Sequence, residues 1–227
     1  MIKTVIFDLD GTFYDYTGAD ARAGRAVEKY ALEHFGMQPE EYRRSMKEQL
    51  ALTALRLGPV AATHNRLVRM QNVLEKHHLP VYPHTICMAE LYWSVFLKDI
   101  ELFPGAEDLL KALKRAGTRI GIGTNMTAYV QHLKLRKLAI GPYMDFVVTS
   151  EDAGIEKPER EFFEYCLTKA ECLPEECLFV GDSYDYDVRA PRECGMHAVL
   201  YGGDGILYPD CLKEDGRIVM GDVEIGG

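Results

Sequence analysis

The sequence predicts an α/β fold, a doubly wound parallel sheet with an inserted all-helical segment. From about residue 100 onward, short runs rich in β-branched residues alternate with segments of helical periodicity. This alternation is typical of a parallel sheet that is covered by helices on both faces. Between the first strand and about residue 100, apolar residues recur only at helical spacing, which indicates an insertion of a different class.

The first predicted strand covers residues 3–8 and stops abruptly at the turn sequence Asp8-Leu9-Asp10-Gly11. Further strands are predicted at 119–123, 145–149, 177–181 and 197–201, and helices at 106–116, 126–138, 158–170 and 187–194. The last segment, 202–227, is rich in glycine. It predicts loop with one weak strand at 217–220 and carries no chemical motif.

The helical insertion is expected to form a domain of its own. Three segments that contain glycine or proline, 36–39, 57–59 and 79–83, divide it into about four helices. A helical run of about 80 residues favours a separate lid over helices that merely pad the core. The predicted domains are therefore an α/β core of residues 1–15 and 100–227 and a helical lid, or cap, of residues 16–99. The arginines of the insertion are interpreted as a solvated face: Arg22, Arg25, Arg56, Arg66 and Arg69.

Composition and charge exclude several classes of protein. A formal net charge of −9 argues against a protein that binds a nucleic-acid polymer, but a small anion can still be captured by local donors and a metal ion. No stretch approaches the ~20 apolar residues of a membrane span, and the first residues do not resemble a secretory signal. The six cysteines form no CxxC pair, which favours free buried thiols and a cytoplasmic location. The sequence does not indicate an oligomeric state.

Polar side chains follow successive predicted strands at the points where the strands end. They are Asp8 and Asp10, then Thr124 and Asn125, then Lys157, and finally Asp182, Ser183, Asp185 and Asp187. Because ligands of a doubly wound sheet bind at the carboxyl ends of its strands, we expect these side chains to surround one site.

Several carboxylates at one sheet edge need a compensating cation, because neighbouring negative charges raise one another's pKa. One lysine is not enough for four or five carboxylates. A hard divalent ion is the natural complement, and Mg²⁺ binds through a few carboxylates while it accepts a phosphate oxygen. Asp8 and Asp10 lie two residues apart, so both face the same side of an extended strand. One of them can act as a nucleophile and the other as a general acid and base.

These segments resemble the haloacid dehalogenase superfamily. The four segments that carry the resemblance are Asp8-Leu9-Asp10-Gly11-Thr12, Thr124-Asn125, Lys157-Pro158 and Gly181-Asp182-Ser183 with Asp187. They occur in the order of the family's four motifs and cover the predicted core as far as about residue 201. The helical insertion after the first motif resembles the family's C1-type cap.

The resemblance implies a role for each motif residue. Asp8 attacks phosphorus and becomes an aspartyl phosphate, while Asp10 protonates the leaving group and then activates water. Thr124, Asn125 and Lys157 bind the phosphoryl group.

The resemblance also implies a metal site. Mg²⁺ is held by Asp8, by the main-chain carbonyl of Asp10 and by Asp182. Ser183 and Asp187 surround these ligands and support the site without binding the ion directly.

The function that follows is a Mg²⁺-dependent phosphatase, a phosphoric monoester hydrolase, acting on a small phosphorylated metabolite of the nucleotide or sugar phosphate class. Two alternatives remain open at this point. A phosphomutase would use the same core motifs and pass the phosphoryl group to a second hydroxyl. A non-catalytic binding protein could keep the fold, although such proteins usually lose a motif residue and none is lost here.

Two local features stand apart from the motifs. Relatives commonly carry asparagine immediately before the position of Asp187, where this chain has Tyr186, which affects only the surroundings of the implied metal site. Tyr14, Asp15 and Tyr16 lie just beyond the nucleophile, where one of them could approach the leaving group. Packing and linker geometry is the favoured interpretation of these three residues.

Overall fold

The computed structural model describes residues 1–225. Gly226 and Gly227, which the predicted core range includes, lie outside the described residues. The chain forms two compact units. One unit, the α/β unit, consists of Met1–Asp15 and the chain from Glu101 onward, and the other, the helical unit, of Tyr16–Ile100.

The α/β unit is built on a five-stranded parallel sheet in the order β3-β2-β1-β4-β5. The strands are β1 (Thr4–Phe7), β2 (Arg119–Thr124), β3 (Phe146–Thr149), β4 (Cys177–Gly181) and β5 (His197–Leu200). Phe7, the last residue of the central strand, pairs with Ile122 on one side and Val180 on the other. The order reverses at β1, so the topological switch point, where ligands of such sheets bind, lies at its carboxyl end. The predicted fold class is confirmed.

The helical unit contains the four predicted helices. They are α1 (Tyr16–Phe35), α2 (Pro39–Leu57), α3 (Arg66–Lys76) and α4 (His84–Lys98), with a short 3₁₀ helix at Ala61–His64. The helix α1 ends before Gly36, whose φ of 68° is left-handed, and α2 begins at Pro39. Proline is tolerated at the start of a helix and a left-handed residue suits its end, which is why these breaks were readable from the sequence. No helix among residues 1–225 is long and apolar enough to cross a membrane.

One arginine of the helical unit departs from the predicted solvated face. Arg66 is only 9% exposed and donates to Asp20 Oδ1 at 2.6 Å and to the hydroxyl of Tyr16 at 2.7 Å. Its guanidinium also lies over the ring of Tyr92, 4.6 Å from the ring centre. A buried cation is tolerated when it is paired and hydrogen-bonded, so Arg66 holds helices together and does not face solvent.

The remaining helices flank the sheet. They are α5 (Ala106–Arg115), α6 (Ala128–Lys137), α7 (Ser150–Ala153), α8 (Arg160–Ala170), α9 (Ala190–Glu193) and α10 (Tyr208–Cys211). Gly117 stands just beyond α5 with a φ of 76°, as expected for a residue that stops a helix. An apolar cluster that includes Ile6 of β1, Phe179 of β4 and Phe163 of α8 fills the space between sheet and helices.

Two of the predicted helices differ from the observed ones at the site. The helix expected at 158–170 begins at Arg160, and the main chain of Lys157, just before it, is held by the side chain of Asn125 through bonds of 2.8 and 3.1 Å. The helix expected at 187–194 is a π-helix, Tyr184–Arg189, followed by α9. A π-helical turn is uncommon and frequently marks a functional site.

The C-terminal segment is more ordered than the predicted loop with one weak strand. It contains α10 and two antiparallel strands, β6 (Ile218–Met220) and β7 (Val223–Ile225). Tyr208 is fully buried, stacks on Phe13 at 5.8 Å and donates to the main-chain oxygen of Thr12 at 2.9 Å. The segment therefore supports the loop that follows β1, which local sequence patterns did not indicate.

Candidate active site

Asp8 follows the central strand directly and is almost completely buried. Its main-chain N–H donates to Val180 O at 2.8 Å, which continues the pairing of β1 with β4. The carboxylate accepts from Thr12 Oγ1 at 3.2 Å and from Lys157 Nζ at 2.7 Å. The Asp8 side chain is thus fixed at the switch point of the sheet.

Lys157 joins two carboxylates in the interior. Its ammonium is 2.7 Å from Asp8 Oδ1 and 2.7 Å from Asp187 Oδ1, and all three residues are buried. Asp187 also accepts from the main-chain N–H of Ser183 at 3.0 Å, within the π-helical turn. Lys157, before the first residue of α8, and Asp187, in the π-helix, are thus placed side by side.

The electrostatics of this group are dominated by burial. Burial, together with the charges of Asp187 and Asp10, raises the pKa of Asp8 to about 7 against the lowering effect of Lys157. Burial acts to lower the pKa of Lys157, but the charges of Asp187 and Asp8 outweigh it and raise that pKa. Two carboxylates beside one ammonium leave net negative charge in a place where charge is poorly solvated.

Three carboxylates form a cluster that can hold a cation. Oxygen atoms of Asp8, Asp182 and Asp187 lie within 4.8 Å of one another, and Asp182 is exposed. A group of carboxylate oxygens without nitrogen or sulfur is the donor set that hard divalent ions prefer. Gly11 leaves space for the Asp182 side chain. A Cβ at residue 11, where φ is +86°, would stand 2.2 Å from Asp182 Oδ2. The residues present therefore fit a divalent cation.

Asp10 lies next to this cluster in a network of its own. Lys134 Nζ is 2.7 Å from Asp10 Oδ1 and 2.6 Å from Oδ2. Gln131 Nε2 donates to Oδ2 at 3.3 Å, and the Tyr14 hydroxyl donates to Oδ1. Asp10 is partly exposed, whereas Tyr14, Gln131 and Lys134 are fully buried.

Sequence reasoning assigned Tyr14 to packing and did not find Gln131 or Lys134. Gln131 and Lys134 lie three residues apart on α6, on the face that also buries Val130 and Leu135. The available signal was the presence of two polar residues on the apolar stripe of a helix that follows Thr124-Asn125. Lys134 closely precedes Arg136 and Lys137 at a helix end, and this pattern predicts a solvated charge for all three residues.

Thr124 and Asn125 occupy the end of β2 with different surroundings. Thr124 is buried, and its Oγ1 accepts from Gln131 Nε2 at 2.6 Å. Both polar atoms of the Asn125 side chain are used by the main chain of Lys157. Asn125 therefore positions Lys157, and its phosphate-binding role stays a prediction.

The arrangement combines a buried nucleophilic carboxylate, an ammonium group beside it, a cation-binding cluster and a second carboxylate held separately. A model of haloacid dehalogenase-like hydrolases matches residues 2–195. The chain belongs to the haloacid dehalogenase-like hydrolase family. It is a hydrolase of the phosphatase branch of that family, and relatives named as phosphatases match it over most of its length.

Two such relatives match about nine tenths of the chain. The chain is 31% identical to a ribulose-1,5-bisphosphate 5-phosphatase of Halopiger xanaduensis, over 88% of this chain and 85% of that protein. It is 29% identical to a glyceraldehyde 3-phosphate phosphatase of Methanothermobacter thermautotrophicus, over 90% of this chain and 87% of that protein.

Solved structures share the fold. A 2-haloacid dehalogenase of Pseudomonas syringae superposes with a TM-score of 0.70 at 24% identity, over 92% of this chain and 93% of that one. A haloacid dehalogenase-type phosphatase of Thermococcus onnurineus superposes with a TM-score of 0.65 at 24% identity, over 91% of this chain and 89% of that one. Because one neighbour is a dehalogenase and the other a phosphatase, the fold alone does not select the reaction.

Proposed function

We propose that the protein is a Mg²⁺-dependent phosphatase that hydrolyses a small sugar phosphate, or a related phosphorylated metabolite, through a phosphoryl group carried on Asp8. The observation that carries this proposal is the pairing of a buried Asp8 with Lys157 beside a cluster of carboxylates that fits a divalent cation. The proposal gives these residues the roles of nucleophile, phosphate-binding cation and metal ligands.

In the first step Asp8 Oδ attacks phosphorus, and the bond from phosphorus to the leaving oxygen breaks. Lys157, already 2.7 Å from the attacking carboxylate, balances the charge that develops on the phosphoryl oxygens. The Thr124 hydroxyl accepts from Gln131 at 2.6 Å and donates to the main-chain oxygen of Asn125 at 3.4 Å, a long bond that a phosphoryl oxygen can replace.

Proton transfer is the task of Asp10. Its carboxyl group donates a proton to the leaving oxygen in the first step. It takes a proton from water in the second step, when that water displaces Asp8 from phosphorus. Asp10 is partly exposed, and its ammonium partner is Lys134, whereas that of Asp8 is Lys157.

Mg²⁺ would be held by Asp8, Asp182 and the main-chain carbonyl of Asp10, with Asp187 and Ser183 supporting the site. When bound, the ion supplies charge stabilisation for the phosphoryl group. The cluster of Asp8, Asp182 and Asp187 supports this assignment, and it also makes Asp187 a candidate for direct contact with the ion.

The relatives support a sugar phosphate as substrate. Two of the proteins that match most of this chain are named for ribulose-1,5-bisphosphate and glyceraldehyde 3-phosphate. Both are phosphate esters of small hydroxylated carbonyl compounds, so we place nucleotides second.

The deciding experiment measures release of inorganic phosphate from a panel of sugar phosphates, nucleotides and p-nitrophenyl phosphate, with Mg²⁺ and with EDTA. We expect release that requires Mg²⁺ and is fastest with a sugar phosphate. Product analysis in the same samples separates a phosphatase from a mutase, because a mutase yields an isomeric phosphate ester and little free phosphate. Absence of phosphate release from every compound by folded protein would refute the proposal.

The substitution Gly11→Ala is expected to damage the metal site beyond its effect on folding. At φ +86° any side chain is strained, by about 1–2 kcal/mol, and the added Cβ would also collide with Asp182. Gly117→Ala is the matched control, because Gly117 has a φ of +76° and no described heavy atom within 4 Å of an added Cβ. Both variants should lose similar stability in thermal unfolding. Only Gly11→Ala should require several-fold more Mg²⁺ for half-maximal activity, and an equal Mg²⁺ requirement in the two variants would contradict the collision argument.

A further inference from the structure

Two side chains of helix α6 form hydrogen bonds to the carboxylate of Asp10. Lys134 contacts both of its oxygens, at 2.7 and 2.6 Å, which fixes the plane of the carboxylate as well as its position. Gln131, one helical turn earlier, donates to Asp10 Oδ2 at 3.3 Å. The two α6 residues therefore restrain the rotation of the Asp10 side chain.

Gln131 connects Asp10 to a second part of the site. Its Nε2 donates to Thr124 Oγ1 at 2.6 Å while it also contacts Asp10. The Thr124 hydroxyl in turn donates to the main-chain oxygen of Asn125 at 3.4 Å, which Gln131 Nε2 also contacts at 3.2 Å. Gln131 thus links the Asp10 carboxylate to the position of the Thr124 hydroxyl.

Folding alone does not account for these two polar residues. Gln131 and Lys134 are fully buried on the apolar face of α6, and Gln131 Oε1 is buried without a hydrogen-bond partner among the described residues. An unsatisfied buried acceptor costs about 1–3 kcal/mol, and apolar side chains often replace buried ion pairs without loss of stability. Residues that are costly to bury and lie against reacting groups are expected to be kept for function.

We propose that Gln131 and Lys134 are positioning residues that hold the Asp10 carboxylate toward the leaving group of the substrate and in register with Thr124. The proposal rests on the proposed function, since it assigns these residues to the proton transfer performed by Asp10. Neither residue is a proton donor in this scheme: Lys134 and Gln131 act through Asp10.

Leaving-group dependence is the test, because it reports on proton donation and not on general damage. An aliphatic alkoxide needs a proton as it departs, whereas p-nitrophenolate departs without one. For Lys134→Met we expect kcat/KM to fall about 100-fold with a sugar phosphate and less than about fivefold with p-nitrophenyl phosphate, since a displaced catalytic group typically costs that much. Gln131→Met removes no charge and should show the same contrast, which provides a second measurement if the lysine variant folds poorly.

Lys114→Met is the matched control. Lys114 pairs with Asp145 at 2.6 Å before β3, at the opposite end of the sheet, so its replacement also breaks an ion pair but should leave both substrates unaffected. In an Asp10→Asn background, Lys134→Met should produce no further loss, because residues that act through one group are not additive.

Equal losses with both substrates, or a full additional loss in the Asp10→Asn background, would show that Lys134 is only structural. Wild-type protein that released no phosphate from either compound would refute the proposed function itself, and with it the role given to Lys134. The two failures are therefore distinguishable in one set of measurements.

Discussion

Replacing Asp8 by asparagine is expected to abolish turnover, with phosphate release falling by about 10⁴-fold or more. An amide is a poor nucleophile and cannot form the aspartyl phosphate. The substitution nearly preserves shape, so Thr12 and Lys157 keep a neighbour of the same size. Phosphate release from the best substrate, with Mg²⁺ present, measures the effect.

The same substitution should not weaken the fold. Because burial raises the pKa of Asp8 to about 7, the folded protein disfavours the charged form of this carboxyl. A neutral side chain therefore removes a penalty at pH 8, and metal-free Asp8→Asn should be at least as stable in thermal unfolding as the wild type. A loss of activity that comes with a gain or no change in stability is the signature of a group kept for catalysis.

Two observations complete the test of Asp8. Wild-type protein quenched in acid during turnover should carry phosphate on the peptide that contains Asp8, and the variant should not. Asp185→Asn is the matched control, because Asp185 is an exposed aspartate of the neighbouring π-helix, paired with Arg189 at 3.2 Å. An Asp8→Asn variant with near-normal turnover would exclude Asp8 as the nucleophile.

The second large effect is expected for Lys157→Met, which should lower both stability and activity. The lysine side chain is 4% exposed and is paired with both Asp8 and Asp187, so its removal leaves two carboxylates buried together without this cation. Breaking a buried pair in this way costs about 3–5 kcal/mol. For a protein of this size that corresponds to a fall of roughly 10 °C in the melting temperature. Activity should fall by about 10²–10³-fold, the usual cost of one lost donor to a developing negative charge.

The destabilisation should depend on pH. Without Lys157 the pKa of Asp8, already raised by burial, rises further. A carboxyl group whose pKa is higher in the folded than in the unfolded protein stabilises the folded state at pH values below the unfolded-state pKa. This stabilisation is lost as the pH rises through the folded-state pKa. The variant should therefore be closer to the wild type at pH 5.5 than at pH 8, with thermal unfolding measured in EDTA.

Added Mg²⁺ should restore part of the lost stability at pH 8, because a bound cation stabilises the folded state and offsets the charge of both carboxylates. Lys114→Met again serves as control. The side chains of Lys114 and Asp145 are each about one third exposed, so breaking this pair should cost no more than about 1 kcal/mol. Equal and pH-independent losses of stability in Lys157→Met and Lys114→Met would show that the charge of Lys157 contributes no more to stability than that of a partly exposed ion pair.

Local sequence patterns were sufficient for the fold class and for the position of each motif. Strands rich in β-branched residues end in polar residues, and such a transition is visible within a window of about ten residues. Parallel topology then brings the strand ends to one edge, so Asp8, Lys157 and Asp187 could be placed together before any contact was known. The structure shows these three side chains in contact. Their chemical roles stay predictions until the measurements above are made.

Residues that contact the site from helices were not accessible in the same way. Lys134 lies 124 residues from Asp10, and its place in a basic helix end is typical of a solvated charge. Only the packing of α6 against the sheet decides that this ammonium is buried and meets a carboxylate. Arg66 of the helical unit is a second case, since helical periodicity does not reveal its partners Tyr16 and Asp20.

The sequence by itself determined the α/β architecture, the helical insertion and the motif residues at the strand ends, because each follows from a local period or a local break. Tertiary structure alone decided which polar side chains are buried and what they contact. It places Gln131 and Lys134 on Asp10, and Tyr208 on the main chain of Thr12, 196 residues away. The physical reason is that a buried polar group needs a partner, and that partner is supplied by whichever chain segment packs against it.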